Sequence, residues 1–579
     1  MKTSFKYFFI VLVCFVYIPF SINAQDKRPE SITQREYPQW FKDAKLGIFI
    51  HFGLYSVPSW SGKEQYAEWF YKGLISGDSA RIDFQKRVFG ENFKYEDYKD
   101  LFKAELFDAD AWATLFKRSG AKYVIFTTKH HDGYCMWNSK YAKNWNSMET
   151  APKRDFCQEL SDEVRKKGME MGFYYSLTEW TNPLYRWTVD TNKSIEEYAQ
   201  KHLIPQFKEL VDKYKPTLIF SDGDWDHSYK ELHSDELVDY YYKVVGEKAI
   251  VNDRFGKGFN HGFLTPEYSA GIIESNRPWA ECRGIGRSFG LNRNEDLSSY
   301  KTSEEIIQHF VQLVAGGGGL TLNVGPGADG QIPLLQQERL LDLGKWLSQN
   351  GDAIYGSKPY KKPYDESMVS VPGLIDSVIN FDWVRNSPFK IISEDNFNVT
   401  WFGIIKPKFS EKYTISCKAD DYALVYLNSK LIIDTKKNIN SCEVELNKGE
   451  DYKIYVEYVE KNLEASISLK WKSKSQEEEP IKAKWKSEYK CSKPYVCYTT
   501  KNNDLYAIAF SIPEDNLILK LDKAPKDDMT IYFLDKIKYP VIPWTYKDGK
   551  LIINTSSIKF SDVRSKYAWA FQLSDYLKE

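Results

Sequence analysis

The chain has 579 residues, and its 79 Lys and Arg against 80 Asp and Glu give a formal net charge of -1. This balance excludes the strongly basic surface of a typical nucleic-acid-binding protein, and 42% hydrophobic with 27% charged residues excludes a disordered chain. The length allows several domains, although one (β/α) barrel can take up more than about 300 residues. The aromatic content of 16% is high. An aromatic-rich core explains it most simply, and stacking on sugar rings is the alternative.

The first 24 residues have the form of a secretory signal peptide. Lys2 and Lys6 precede an uncharged apolar run over residues 8–20, and Ala24 supplies a small residue before the expected cleavage point. The run is too short to cross a bilayer, which takes about 20 helical residues. We therefore expect a secreted or periplasmic protein without a membrane span. A surface lipoprotein is a minor alternative, because Cys14 lacks the small residues that usually precede a lipid-modified cysteine.

Seven further cysteines lie beyond the apolar run, and an odd number leaves at least one thiol unpaired. In an oxidising compartment Cys417 could pair with Cys442, and Cys491 with Cys497, although spacing alone establishes neither pair. The sequence has no Cys-x-x-Cys motif, so a zinc ribbon is not expected.

From residue 45 to residue 326, apolar strand-like runs alternate with amphipathic helical stretches such as residues 156–167 and 203–214. Continuous apolar strands separated by helices predict a parallel sheet buried on both faces, and the length of the alternation favours a (β/α) barrel over an open sheet. Several strands end in polar groups, at the edge where barrel active sites collect. The predicted strands cover residues 46–51, 123–129, 171–176, 217–222, 250–254 and 320–324.

The pattern changes after a predicted helix over residues 336–347. From about residue 372 to residue 474 apolar residues recur with period two, as in residues 399–405, which predicts a β-sandwich. Residues 473–480, rich in Ser, Lys and Glu, indicate a linker. The tail beyond residue 489 has more short strand-like runs and indicates a second β-domain.

Asp222 is the clearest candidate for chemistry, because it stands where an apolar strand meets a turn. A carboxylate there is partly buried, which is costly unless something pairs with it. Two carboxylates that face one sugar would support glycoside hydrolysis, whereas a capping or turn aspartate is the simpler structural explanation. The neighbouring His130 and His131 point to opposite sides of a strand end, which suits hydrogen bonds to hydroxyl groups better than a shared metal ion.

Several long motifs, taken in order, resemble the α-L-fucosidases of glycoside hydrolase family 29 over about residues 36–361. This resemblance implies a (β/α)8-like catalytic barrel, expected over residues 30–361, and a retaining mechanism without a cofactor or a metal in the catalytic site. The motifs are residues 40–58, 68–70, 128–133, 152–155, 251–254 and 279–294, and the stretch from residue 323 to residue 356.

The resemblance also assigns roles by position. Asp222 corresponds to the nucleophile of the family, Glu267 is the favoured acid/base, and Glu281 is its rival. Phe52, Trp69 and Phe289 are candidates for an apolar pocket around the C5 methyl group of fucose, although all three would suit a core equally well. The residues implied to surround the fucose hydroxyls and the carboxylates are His51, Glu68, Trp69, His130, His131, Tyr175 and Arg254.

The segment after the barrel resembles a PA14-type β-sandwich on residues 397–407, 425–428 and 452–471. We expect this insert over residues 368–474, followed by a C-terminal β-sandwich over residues 486–579. In some PA14-like lectins an Asp-Asp pair with a nearby Asn holds calcium, so Asp420, Asp421 and Asn428 are candidate calcium ligands. A solvated turn that starts a strand is the alternative.

The predicted function is that of an exo-acting retaining α-L-fucosidase, with fucosylated oligosaccharides or glycoconjugates as partners. Two alternatives stay open. One keeps the mechanism but uses a related L-sugar such as L-galactose, and the other is a glycan-binding protein whose barrel has lost activity. The presence of Asp222, Glu267 and Glu281 argues against the second alternative.

Overall fold

The computed structural model describes residues 28–578, apart from 186–193, 269–274, 385, 463, 536–540, 560 and 562, so the predicted signal peptide over residues 1–24 lies outside the described residues. The helices are α1 (Glu30–Thr33), α2 (Gln39–Ala44), α3 (Phe70–Ile75), α4 (Ser79–Phe89), α5 (Tyr98–Leu101), α6 (Ala109–Arg118), α7 (Phe156–Lys166), α8 (Glu196–Tyr198), α9 (Ile204–Tyr214), α10 (Ser234–Val245), α11 (Ser303–Ala315) and α12 (Leu334–Asn350). In this described part, no helix has the length and apolar character that a membrane crossing requires.

The barrel sheet is parallel, and its strands are β1 (Leu46–Ile50), β2 (Tyr123–Lys129), β3 (Glu170–Ser176), β4 (Leu218–Asp222), β5 (Ile250–Val251), β6 (Ala280–Gly284) and β7 (Gly319–Val324). They lie in the order β5-β4-β3-β2-β1-β7-β6. Residues 263–267 connect the two edge strands, because Phe263 bridges to Asn252 while Leu264 and Glu267 bridge to Trp279 and Cys282. The predicted (β/α)8-like class is confirmed.

Alternate strand residues separate the two sides of the barrel wall, as the period of two requires. Those that fill the interior include Phe49, Ile125, Tyr174, Leu218 and Phe220. Their neighbours pack outward against the helices, where α7 and α11 begin at side-chain caps from Asp155 and Thr302. Much of the aromatic content therefore serves the core. Examples of the outward set are Ile48, Ile50, Val124, Phe126, Phe173, Leu320 and Leu322.

Two all-β units follow the barrel and have separate cores. Their strands are β8 (Lys358–Asp376), β9 (Asn380–Val384), β10 (Phe397–Ile405), β11 (Glu411–Ala419), β12 (Tyr422–Leu427), β13 (Lys430–Asp434), β14 (Ser441–Leu446), β15 (Tyr452–Glu460), β16 (Ala465–Ser473), β17 (Gln476–Pro480), β18 (Trp485–Lys501), β19 (Asp504–Ala509), β20 (Asn516–Leu519), β21 (Ile531–Phe533), β22 (Trp544–Lys547), β23 (Lys550–Asn554) and β24 (Trp569–Leu573). In the first unit, the sheet that contains β13-β12-β15-β10 packs on the sheet β14-β11-β16-β17. We call this unit the inserted sandwich.

The long strands β8 and β18 pair with each other along almost their whole length and belong to both β units. Residues 367–376 of β8 face residues 485–493 of β18 inside the inserted sandwich, and residues 358–366 face residues 494–500 inside the C-terminal unit. The inserted sandwich therefore interrupts the C-terminal unit after that unit's first strand.

One predicted feature of this region is wrong. The expected linker over residues 473–480 contains β17, which pairs with β16 as an edge strand. Its charged composition suits an edge strand, because charges discourage pairing with another chain.

The structure also corrects the expected disulfides, since all seven cysteines in the described part of the chain are free thiols. Cys491 and Cys497 lie six positions apart along the single strand β18, so their sulfurs cannot meet. In the other suggested pair, Cys442 is opposite Ile415 rather than Cys417.

Candidate active site

The carboxyl ends of neighbouring barrel strands bring polar side chains to one mouth. His51 follows β1, His130 and His131 follow β2, and Asp222 ends β4. The strands fold next to each other because each is a continuous apolar run, so the polar residue that ends the run is delivered to the same edge. The mouth is thus built from residues far apart in sequence.

Asp222 is nearly buried and has three partners. Tyr174 donates a hydrogen bond of 2.8 Å to its Oδ2, His131 Nε2 lies 3.4 Å from the same oxygen, and Arg254 Nη1 lies 3.3 Å from its Oδ1. Burial alone would raise the pKa of Asp222, but the contact with His131, the charge of Arg254 and the hydrogen bond from Tyr174 outweigh it and hold that pKa well below its usual range. The carboxylate stays ionised, as a nucleophile requires.

Arg254 connects Asp222 to the second carboxylate, Glu267. The same Nη1 that contacts Asp222 donates a 2.5 Å hydrogen bond to Glu267 Oε1. Two hydrogen bonds to Thr265 fix the guanidinium, one to the hydroxyl and one to the backbone carbonyl. Tyr66 donates to the other oxygen of Glu267, at 3.3 Å. Glu267 lies on the irregular segment between β5 and β6, which therefore carries a reactive group as well as linking the sheet edges.

Two histidines at the mouth, His51 and His130, are buried and held neutral by their surroundings. Burial lowers the pKa of His51 to about 4, although its Nδ1 donates a 2.6 Å hydrogen bond to Asn323. Burial also lowers the pKa of His130, with the neighbouring His131 and His51 adding to the effect. The His130 ring stacks on Tyr174 at 5.4 Å, and the His51 ring is 5.6 Å from it. Neutral imidazoles can both donate to and accept from hydroxyl groups.

Glu68 is buried beside the same pocket. Gly290 N donates to its Oε2 at 2.8 Å, and Ser288 Oγ is 3.2 Å away. Burial raises the pKa of Glu68 to about 7, and these hydrogen bonds only partly oppose that effect. Glu68 can therefore change its charge near neutral pH.

Aromatic rings frame the pocket on two sides. Trp69 meets the His131 ring edge-on at 5.7 Å and also contacts Trp225, which is 38% exposed at the rim. On the other side, Phe289 stacks on His51 at 5.0 Å and lies 5.4 Å from Tyr66. These two sides fit a small sugar with one polar and one apolar edge.

Three of the sequence candidates lie outside the pocket. Glu281 on β6 points out of the barrel, where its Oε1 is 2.9 Å from His309 Nε2 on α11 and 3.3 Å from Arg283 Nη1. Tyr175 also points outward and donates to Gln206 at 2.8 Å. Phe52 packs in the outer core against Phe102, Trp112 and Phe156. In each case the alternation of strand or turn residues puts the side chain on the outer side of the wall.

Two residues of the site were missed by the sequence analysis. Tyr174 pairs across the sheet with Phe220, whose side chain shares the inner side of β4 with Asp222. The alternation of inward and outward residues along each strand can be read from the sequence. It would have selected Tyr174 over Tyr175. Tyr66 offered no comparable signal, because it reaches Glu267 from a loop distant in sequence.

A second acidic group lies in the inserted sandwich. Oxygen atoms of Asp420, Asp421 and Glu460 lie within 4.8 Å of one another, which is close enough for one metal ion. Asn428 is not with them, because it follows the far end of β12 and instead accepts a hydrogen bond from Lys453 N at 2.9 Å. The third oxygen ligand of the group comes from Glu460 instead of Asn428. The Oε1 of Glu460 is buried and has no hydrogen-bond partner.

Comparison with known proteins confirms the resemblance. A family model of alpha-L-fucosidase matches residues 18–352, a PA14 domain model matches residues 350–485, and a model of the alpha-L-fucosidase C-terminal domain matches residues 490–574. The alpha-L-fucosidase of Dictyostelium discoideum is 40% identical over 368 residues, which cover 61% of this chain and 78% of the relative. Human tissue alpha-L-fucosidase is 35% identical over 389 residues, covering 65% and 82%.

The solved structures agree. The crystal structure of Thermotoga maritima alpha-fucosidase in complex with a mechanism-based inhibitor has a TM-score of 0.64 and 28% identity to this chain, and the match covers 94% of this chain and 98% of the other. The family model covers more than half of the sequence, and the pocket geometry is consistent with it. The chain therefore belongs to the alpha-L-fucosidase family, glycoside hydrolase family 29, and carries an inserted PA14 domain.

Proposed function

We propose that the protein is an exo-acting retaining α-L-fucosidase that releases terminal L-fucose from glycans. The observation that carries the proposal is the bridge made by Arg254, whose Nη1 contacts Asp222 at 3.3 Å and Glu267 at 2.5 Å. The two contacted oxygens are thus no more than about 6 Å apart. Retaining enzymes hold their carboxyl groups about 5 Å apart, and inverting enzymes leave roughly 6.5–9.5 Å for a water molecule.

In the first step Asp222 attacks the anomeric carbon, and the bond to the leaving oxygen breaks. Glu267 gives a proton to that oxygen, so the aglycone leaves as a neutral alcohol and the sugar stays bound to Asp222 as an ester. For this transfer, Glu267 has to exchange its contact with Arg254 for one with the leaving oxygen. Arg254 then remains paired with Asp222.

In the second step a water molecule attacks the anomeric carbon from the side that the aglycone has left. Glu267, now a carboxylate, takes a proton from this water, and the ester bond to Asp222 breaks. Two inversions give net retention, and both carboxyl groups return to their starting state. Glu267 makes both proton transfers and Asp222 forms the covalent bond, so the chemistry needs no cofactor.

The remaining pocket residues supply binding and specificity. His51, His130, His131 and Glu68 offer donors and acceptors to the ring hydroxyls, and Trp69 lies against His131 at the entrance. Phe289 gives an apolar surface for the C5 methyl group. L-galactose carries a hydroxymethyl group at that position, and an apolar surface would leave its hydroxyl without a partner. This contact favours fucose over the related L-sugar.

The decisive test is the stereochemistry of the first product. Purified protein should cleave an aryl α-L-fucoside, and NMR spectra taken early in the reaction should show α-L-fucose before mutarotation. An aryl α-L-galactoside should be cleaved much more slowly. Early release of β-L-fucose would contradict the retaining mechanism, and equal rates on the two glycosides would contradict the proposed specificity.

The N-terminal 24 residues support export to the periplasm or the cell exterior. When the full-length sequence is expressed in a bacterial host, the mature protein should begin at Gln25, as measured by intact mass. An uncleaved N-terminus on the recovered protein would contradict this assignment, and a lipid-modified Cys14 would indicate a surface lipoprotein instead.

For the inserted sandwich we propose a calcium site at Asp420, Asp421 and Glu460. Hard carboxylate oxygens suit calcium, which takes about six to eight oxygen ligands, and the unpartnered Oε1 of Glu460 would gain a ligand contact. Calorimetric titration of the whole protein with calcium should show binding that Asp421→Ala removes, while turnover of an aryl α-L-fucoside stays unchanged. Asn428→Ala should bind calcium normally. No calcium uptake by the unaltered protein would refute the site.

A further inference from the structure

Two loops carry much of the proposed sugar pocket. Residues 59–69, the first pocket loop, include Tyr66 and Glu68. Residues 284–296, the second pocket loop, follow β6 and include Phe289 and Gly290, which contact His51 and Glu68. Neither loop is regular over its whole length, so its shape depends on contacts made by side chains.

The two pocket loops are fastened to each other. Ala67 N donates to Ser288 Oγ at 2.9 Å, and Gly290 N donates to Glu68 Oε2 at 2.8 Å. Asn292 also accepts a hydrogen bond from Ser61 N at 3.1 Å. A displacement of one loop would therefore move the other, and with it the carboxylate of Glu68.

The inserted sandwich contacts both loops through one asparagine. Asn386, just beyond β9, donates from Nδ2 to both carboxylate oxygens of Glu64 in the first pocket loop, at 3.0 and 2.8 Å. Its Oδ1 accepts a 2.6 Å hydrogen bond from Arg287 in the second pocket loop. Glu64 has a φ of 59°, a conformation that costs energy for a residue other than glycine and persists only where contacts hold it.

A second residue of the inserted sandwich, Glu394, strengthens this contact. It accepts hydrogen bonds from Lys301 Nζ at 2.6 Å and Arg287 Nη2 at 2.9 Å, and Arg283 Nη2 is 3.9 Å away. Arg287 and Arg283 are each only 7% exposed. A buried cation needs a paired anion, and Glu394 supplies one to the arginine of the second pocket loop.

The rest of this junction is loosely packed. A cavity of about 1140 Å³ lies beside the contact, between α11 of the barrel and residues 386–396 of the inserted sandwich. His309 and Lys301 line it on the barrel side, and Lys390 and Glu394 on the other side. Beside this cavity, the polar contacts of Asn386 and Glu394 set the local geometry.

We infer that the inserted sandwich is part of the active-site scaffold, with Asn386 and Glu394 as positioning residues that hold the two pocket loops in the geometry that binds the sugar. Asn386 acts through Glu64 on the loop that presents Glu68. Both residues act through Arg287 on the loop that presents Phe289 and Gly290. The inference rests on the proposed fucosidase activity and assigns the inserted domain a role in it.

Substitution of Asn386 tests the inference. Asn386→Ala removes the three hydrogen bonds to charged partners, and KM for an aryl α-L-fucoside should rise about tenfold while kcat changes about threefold or less. The dissociation constant of L-fucose, measured by calorimetry, should rise by the same factor as KM. Asn386→Asp should have a larger effect, because it keeps the size but places a negative charge against Glu64.

A swapped pair separates positioning from a general loss of folding. In Asn386→Asp combined with Glu64→Gln, the donor and acceptor roles are exchanged, and the new amide at position 64 can donate to the carboxylate at position 386. KM and the affinity for L-fucose should return towards the values of the unaltered protein. Asn447→Ala is the matched control, because it removes an asparagine–glutamate hydrogen bond of 3.2 Å within the same sandwich. It should leave both quantities unchanged.

The outcomes are distinguishable. Unaltered KM and L-fucose affinity in both single variants at position 386 would overturn this inference and leave the fucosidase assignment intact. Failure of the swapped pair to recover affinity, with a melting temperature equal to that of the unaltered protein, would also overturn it. Lack of any cleavage by the unaltered protein would contradict the proposed function itself, and the calorimetric comparison with L-fucose would then show whether the loops still depend on Asn386.

Discussion

The barrel and the inserted sandwich each bury a carboxylate, but the two carboxylates have opposite surroundings. Asp222 in the barrel meets the cation of Arg254, the imidazole of His131 and the hydroxyl of Tyr174. Glu460 in the sandwich, 1% exposed, meets the carboxylates of Asp420 and Asp421. Tyr458 donates a hydrogen bond to its Oε2.

Burial acts in the same direction in both places, so the neighbours decide the charge. At Asp222 the favourable contacts overcome burial and keep the pKa low. At Glu460 burial comes first, the hydrogen bond from Tyr458 opposes it only in part, and the nearby Asp420 and Asp421 add to it, so the pKa rises to about 8. One carboxylate is ready to act as a nucleophile, and the other keeps its proton until the pH approaches 8.

The largest expected effect is at Asp222. Asp222→Ala removes the nucleophile, and kcat on an aryl α-L-fucoside should fall by about 10⁴-fold or more. Added azide or formate should restore part of the activity by occupying the space left by the carboxylate. A thermal melt checks that the variant is folded. Substantial activity without an added anion would show that another group is the nucleophile.

The next effect separates Glu267 from Glu281. Glu267→Ala should slow cleavage of substrates with poor leaving groups by roughly 10²–10⁴-fold, and substrates with an activated aryl leaving group far less, because the latter need no proton. Glu281→Ala should show no such dependence and should instead lower the melting temperature, since it leaves Arg283 and His309 without their buried partner. Steady-state kinetics on both substrates distinguishes the two. Leaving-group dependence in Glu281→Ala would reverse the assignment.

A smaller effect is expected from the hydrogen bond between Tyr174 and Asp222. Tyr174→Phe removes it, and kcat/KM should fall roughly tenfold, the usual cost of a hydrogen bond to a charged group. Tyr175→Phe is the control from the adjacent position, because its hydroxyl contacts Gln206 behind the barrel wall. Activity there should stay within about twofold. A larger loss at position 175 than at position 174 would contradict the inward orientation of Tyr174.

The smallest expected effect is on the melting temperature. It should differ between Glu460 and Asp222, because their pKa values are shifted in opposite directions. Because burial raises the pKa of Glu460 to about 8, its contribution to stability is complete below about pH 4.5 and is lost as the pH rises towards 8. In a calcium chelator, Glu460→Gln should therefore raise the melting temperature by a few degrees at pH 8 and hardly at pH 5. Asp222→Asn should not be stabilising at pH 8, because the low pKa of Asp222 makes its ionised form the favourable one. A lower melting temperature of Glu460→Gln at pH 8 would contradict the raised pKa of Glu460.

Much of the barrel could be predicted because its strands are continuous apolar runs that end in polar groups. Six strands and Asp222 follow from that pattern. The strand β6 was missed, since Glu281 and Arg283 interrupt its apolar character with charges that pair outside the barrel wall. Glu281 and Tyr175 both face the outer side of the barrel wall. Their positions within the family motifs do not indicate which side a residue faces.

The inserted sandwich was harder to predict in detail. Its alternating strands were recognised, but the charged edge strand β17 was interpreted as a linker, because edge strands and linkers share a polar composition. The acidic group could not be read from local sequence either. Asn428 is close to Asp421 along the chain but lies at the other end of β12, whereas Glu460 comes from β15 beside it. Cross-strand pairing, which sequence proximity does not reveal, decides which residues meet.

The shared strands β8 and β18 also say how such an insert can be gained or lost. Glu366 and Pro494 are paired directly across the two strands, so the chain leaves the C-terminal unit and re-enters it at points about 5 Å apart. A two-residue turn could close that gap and convert the pair into an ordinary hairpin, with the register of the remaining strands unchanged. In evolutionary terms the domain occupies the tip of a hairpin, where an insertion or deletion does not force the host sheet to refold. Selection could therefore change the contacts between the insert and the pocket loops without affecting the folding of the C-terminal unit.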